Sequence, residues 1–166
     1  MNHDRRDPYS GVYDPTRANY PRSETGGAFV GILRRTVHDR GLRLIKERAR
    51  CIRQGEIHEF IITEEPGAIA GQEVDSIAYL GFAEFSRGGV ILCGDIFSVD
   101  GQEIGELAGV DETHMPNHMN IVIRGKGLVS GYDRGFMLGS RFTFKSPYPD
   151  ERLTAASPQT SRAGAQ

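Results

Sequence analysis

The feature that most constrains this chain is a succession of short runs rich in β-branched and aromatic residues, each closed by Gly, Pro or Asp. They are Ala28 to Val37, Ile57 to Thr63, Ile77 to Phe85, Val90 to Cys93, Ile96 to Val99, Glu103 to Val110, Met119 to Arg124 and Ser140 to Lys145. Runs of this length and composition fit strands, because branched side chains pack well on a pleated surface. Asp100-Gly101, between two of them, fits a two-residue hairpin loop in which both central residues take positive φ. Several short strands at this spacing predict a mainly β fold, a small closed or partly closed barrel of six to eight strands. Closure would leave no free sheet edge.

One segment breaks that pattern. Between Gly41 and Gly55 the residues Leu42, Ile45, Ala49 and Ile52 recur at helical spacing while arginines and Lys46 fill the other positions. The spacing predicts one amphipathic helix over 41–55, ended at Gly55 by a left-handed cap. Outside the barrel region the composition changes. Residues 1–26 contain Pro8, Pro15 and Pro21 and almost no aliphatic side chain, and residues 147–166 are low in apolar content. Neither stretch can bury enough surface to offset its own ordering. The expected organisation is therefore a disordered or lid-like arm at 1–26, a barrel domain at 27–146 and a flexible tail at 147–166. With 38% hydrophobic residues in 166, one core is the expectation.

Charge divides by segment. Residues 26–54 carry eight basic side chains against Asp39 and Glu47, whereas 55–120 carry thirteen acidic side chains against Arg87 alone. Such a split favours a basic segment lying across an acidic body, and it disfavours nucleic acid, whose phosphates that body would repel. The absence of a long apolar run and of an apolar leader predicts no membrane span and a cytoplasmic protein. Cys51 and Cys93 show no metal-type spacing and read as small buried apolar residues. No phosphate loop, dinucleotide fingerprint or nucleophile elbow occurs, so no cofactor is expected.

The densest set of chemically capable side chains is the run Asp111-Glu112-Thr113-His114-Met115-Pro116-Asn117-His118-Met119-Asn120. Pro116 keeps a helix from running through it, so His114 and His118 do not form a helical metal pair, and no metal is assigned. If His118 enters the following strand, alternation places it with Asn120 and Val122 on one face and Met119, Ile121 and Ile123 on the other. A histidine beside carboxylates can move a proton. The candidate catalytic set is accordingly His114, His118, Asp111 and Glu112, with Asn117, Asn120 and His58 as substrate-binding candidates. His58 and Glu59 lie on opposite faces of their strand, so only one of the two can point inward. A solvated loop closed by Asp111 and Thr113 is the alternative.

The order of motifs resembles the glucitol/sorbitol-specific IIA component of the sugar phosphotransferase system, over roughly 57–145. Glu65-Pro66-Gly67-Ala68 followed by Val74-Asp75-Ser76-Ile77 is similar to that family's Gly-Ala-Pro segment and the strand carrying its phosphorylated histidine. Gly94-Asp95 to Ile104, Ala108-Gly109-Val110-Asp111, His118 to Ile123 and Leu138 to Phe144 resemble its later strand units. The resemblance implies a small β-barrel and phosphoryl transfer. It also places the phosphoryl-accepting histidine at Ala78, so the chain reads as a divergent relative lacking that group.

Three functional expectations result. The first is a cofactor-independent acid/base enzyme of isomerase, cyclase or lyase type, acting on a small molecule at the barrel mouth beside the 111–120 loop. The second is a non-catalytic ligand-binding or assembly barrel, including a homodimer in which the basic helix docks on a neighbouring copy. The third is residual sugar phosphotransfer through His114 or His118.

Overall fold

The structure, a computed structural model, describes residues 21–148 and residue 150. Most of the arm expected at 1–26 and of the tail expected at 147–166 lies outside those residues. Among the described residues eleven strands follow one another: β1 (Thr25–Val37), β2 (Leu42–Arg43), β3 (Ala49–Ile52), β4 (Ile57–Thr63), β5 (Glu73–Val74), β6 (Ile77–Arg87), β7 (Gly89–Leu92), β8 (Ile96–Val99), β9 (Gln102–Asp111), β10 (Asn120–Gly125) and β11 (Arg141–Lys145). Seven of them close a barrel in the order β1-β11-β8-β9-β10-β4-β6. The β4–β10 pair is parallel and the other six neighbouring pairs are antiparallel. Two small ribbons, β2–β5 and β3–β7, complete the sheets. The Asp100-Gly101 turn joins β8 to β9 with φ of 49° and 81°, the left-handed geometry that a two-residue hairpin loop requires.

The barrel is filled by aromatic rings. Phe29, Phe60, Phe85, Phe97, Phe142 and Phe144 are all buried, and Phe60 lies at their centre, with ring centroids 4.8 Å from Phe142, 5.6 Å from Phe97 and 5.8 Å from Phe29. A second apolar cluster sits on the outside of the wall. Leu42, Leu44, Ala68 and Val74 cover Ile61, Ile77, Ala108 and Val122, residues that alternate with interior ones along β4, β6, β9 and β10. That part of the wall is buried on both faces. This explains why every residue of β4 after Ile57 is buried instead of alternate ones.

No helix forms over 41–55. The segment carries β2, an irregular stretch with a bend at Lys46, and β3, and its backbone bonds reach distant parts of the chain: Leu44 N–H donates to Gln72 O, Ile45 N–H to Val110 O, and Arg48 O accepts from Cys93 N–H. The competing pattern was the pair Leu42 and Leu44, two residues apart and both buried in the outer cluster, which an extended chain satisfies and a helix would split. Gly55 does take positive φ, but in a turn between β3 and β4. The basic residues of this segment find partners on the same chain, Arg43 with Glu73, Arg50 with Glu112 and Arg53 with Glu56. The expected docking of a basic helix on a second copy therefore loses its helix. Cys51 is exposed on β3, contrary to the expectation of burial, while Cys93 is half-buried; both are free thiols. No helix among the described residues is long and apolar enough to cross a membrane.

Because Phe60 touches rings from four other strands, truncating it leaves a cavity that no single neighbour can fill. Phe60→Ala should cost about 3–5 kcal/mol of unfolding free energy, read by urea denaturation with circular dichroism. A loss below about 1 kcal/mol would contradict the packing described.

Candidate functional site

The 111–120 loop lies on the outer wall of the barrel and joins β9 to β10, which pair with each other. Asp111 shapes it. Its Oδ1 accepts from Thr113 N–H at 3.1 Å and from the Asn120 amide at 3.0 Å, and its Oδ2 accepts from Arg43 N–H and from the Thr113 hydroxyl, both at 3.0 Å. With four donors on a buried carboxylate, Asp111 is a structural clamp with no lone pair left for orienting an imidazole. Glu112 is exposed and faces Arg50 at 3.6 Å, so it too stands apart from the histidines.

His114 and His118 do come together. Their rings stack with centroids 5.0 Å apart, the Met115–Pro116 bond between them being cis. Arg40 reaches both His114 and Tyr79: its Nε–H donates to the Tyr79 hydroxyl at 2.9 Å, and its Nη2 lies 3.3 Å from His114 Nε2, which must accept. His118 Nδ1 is 2.7 Å from the Asn117 amide oxygen, so Nδ1 carries the proton and Nε2 presents a lone pair. That lone pair is buried and has no hydrogen-bond partner among the described residues. It lies 3.9 Å from Glu59 Oε2, and the imidazole stands edge-on to the ring of Phe82 with centroids 5.2 Å apart.

Alternation along β10 behaves as the sequence predicts. Met119, Ile121 and Ile123 enter the barrel, while Val122 joins the outer cluster and Asn120 reaches Asp111. Asn120 is wholly buried, and its Oδ1 is a second polar atom without a partner. The parallel register sets Glu59 of β4 directly across from Asn120. A carboxylate, an unpartnered amide oxygen and an unpartnered imidazole nitrogen thus share one small area. Burial raises the Glu59 pKa above the ordinary carboxylate range against the pull of His114 and Arg40. Burial, with neighbouring His114 and His58, lowers that of His118.

His58 occupies a different position. It is buried on the interior face of β4, edge-on to Phe85, with Nε2–H donating to Glu56 at 2.8 Å and Nδ1 accepting from Met119 N–H at 3.1 Å. It ties β4 to the start of β10 and holds the loop in place. Glu59, Arg40, Tyr79 and Phe82 are the participants that the sequence did not single out. Glu59 left one signal, a carboxylate inside an apolar run that is buried on both sides. Arg40 and Tyr79 left none, because only the path of 38–45 across the wall brings them together. None of residues 111–120 lines the groove of about 850 Å3 that borders β7, β8 and β9. Among the described residues no cluster of three or more metal-ligating side chains occurs.

Burial lowers the His58 pKa, and the Glu56 bond only partly offsets it. Between the folded and unfolded values the unfolded chain binds more protons, so this group stabilises the fold fully above about pH 6.5 and less as pH falls below it. Unfolding free energy should drop between pH 7.5 and 5.5. In His58→Gln, which can keep both hydrogen bonds without titrating, the drop should be shallower. An unchanged slope in urea titrations at the two pH values would refute the assignment.

Residues 19–145 match the model of a family of unknown function, DUF6917. The chain belongs to that family. No curated protein and no solved structure matches it significantly.

Proposed function

We propose that this DUF6917 chain binds a small carboxylate-bearing molecule on its outer barrel wall and moves a proton on it without a cofactor, as an isomerase, cyclase or lyase does. The observation that carries the reading is the buried, unpartnered His118 Nε2 beside Glu59. A buried polar atom left without a partner is costly, and a ligand group that donates to it removes the cost. Neutral His118 takes the proton through Nε2 while Asn117 holds its ring. Glu59, neutral through its raised pKa, gives a proton to an adjacent carbonyl oxygen; His118 then returns its proton to the product carbon while Glu59 takes its own back from that oxygen. Arg40 keeps three of its five N–H donors after serving Tyr79 and His114, enough for a substrate carboxylate.

His114 acts here by position, stacked on His118 and bonded to Arg40. Asp111, Glu112, Asn120 and His58 support the loop. The phosphotransfer expected from the resemblance gains nothing at Ala78, which is wholly buried among the interior side chains of the barrel. The exposed free thiol of Cys51 suits a reducing compartment, in keeping with a cytoplasmic location.

Short 2-oxo acids incubated with the protein in D2O, followed by proton NMR, test the reading. Catalysed exchange at the carbon next to the carbonyl is expected, falling about 100-fold or more in His118→Gln and in Glu59→Gln. In the wild type it should rise with pH through the lowered His118 pKa and then level off. Saturable binding without exchange would leave a non-catalytic binding barrel. Absence of both would end the proposal.

A further inference from the structure

The groove beside β7, β8 and β9 is a separate site, remote in composition from the His118 cluster. Its volume of about 850 Å3 falls within the range of small-molecule sites, and Leu92, Ile96, Ala108 and Ile69 give it an apolar lining. Its charges are unequally matched. Arg22 grips Asp95 with two hydrogen bonds, 2.7 and 2.5 Å, while Asp95 also accepts from Leu92 N–H. Arg124 is spent on Glu106 and on the carbonyls of Pro66 and Ala68. In each of these two ion pairs the cation and the carboxylate neutralise one another.

Lys46 and Arg48 line the same groove and face no carboxylate at ion-pair distance among the described residues. They lie two positions apart between β2 and β3, both lining the groove, where Arg48 O accepts from Cys93 N–H. Two adjacent cations without a counter-ion among the described residues, over an apolar floor, form a positive field that an organic anion would satisfy. Glu103 is the lining carboxylate without an ion pair among the described residues, and it works against that field. The Cys93 thiol in the wall donates to Ala108 O at 3.3 Å and has a pKa pushed up by burial to about 11. It is a poor nucleophile, so the groove holds its ligand and does not react with it.

We propose that this groove is a binding site for a small organic phosphate monoester, its dianionic head taken by Lys46 and Arg48 and its apolar body laid on Leu92, Ala108 and Ile69. The head supplies the charge that the cations lack. The body distinguishes such a ligand from inorganic phosphate.

Phenyl phosphate titrated calorimetrically into the full chain at low salt tests this, with inorganic phosphate as the comparison. Phenyl phosphate should bind about tenfold more tightly than inorganic phosphate, in line with the burial of one ring. Lys46→Glu with Arg48→Glu should weaken it about 100-fold, consistent with the loss of two charge-assisted contacts. Glu103→Gln should tighten it about two- to threefold by removing the opposing charge. His118→Gln should leave it unchanged, which keeps this site distinct from the proton-transfer site. All three residues on the groove are exposed or half-buried, and circular dichroism of each variant checks that it folds. Equal affinity for the two phosphates, no binding of either, or indifference to the Lys46 and Arg48 reversals would overturn the proposal.

Discussion

Burial of the β4–β10 wall on both faces is the constraint from which the rest of the structure proceeds. Inside, Phe60, Ile62, Ile121 and Ile123 join the ring cluster that fills the barrel; outside, Ile61 and Val122 are covered by Leu42, Leu44 and Val74. A sheet shielded on two sides can sustain a parallel pair, since both strands then bury apolar residues in either direction. The parallel register puts Glu59 opposite Asn120, two residues from His118. The same cover that stabilises the wall also removes water from these three groups. Desolvation raises the Glu59 pKa and lowers that of His118, because burial penalises the charged form of each.

The electrostatics of the chain follow the same geometry. The basic stretch after β1 lies over an acidic body, and its cations divide into those that find a carboxylate and those that do not. Arg43, Arg50 and Arg53 are paired at the surface, where each contact contributes little. Arg40 is drawn instead to Tyr79 and His114. Lys46 and Arg48 reach the groove, where the carboxylates Asp95 and Glu106 are already taken. One segment thereby serves two separate polar areas of the wall.

The barrel strands were legible because their signals are local: branched and aromatic runs, turn residues between them, and Asp100-Gly101 with the backbone freedom that a tight hairpin needs. The face alternation of 118–123 was legible for the same reason. The 41–55 segment misled because Leu42, Ile45, Ala49 and Ile52 satisfy a helical period, and only burial of Leu44 beside Leu42 decides for an extended chain. Asp111 and Glu112 looked like partners for the histidines because they are near in sequence. In space Asp111 is saturated by Arg43, Thr113 and Asn120, and the carboxylate next to His118 is Glu59 from a distant strand.

By itself the sequence determined the seven barrel strands and β7, the tightest turn, the alternation that separates interior from exterior, and the collection of two histidines on one stiff loop, but not the short strands β2, β3 and β5. Tertiary structure decided which carboxylate meets which imidazole, where the aromatic rings leave no room for a ligand, and where a groove opens instead. The physical reason is that strand segmentation and alternation depend on backbone preferences over a few residues. Partnership across β4 and β10 depends on which distant surfaces bury each other, and that choice is made only when the whole barrel closes.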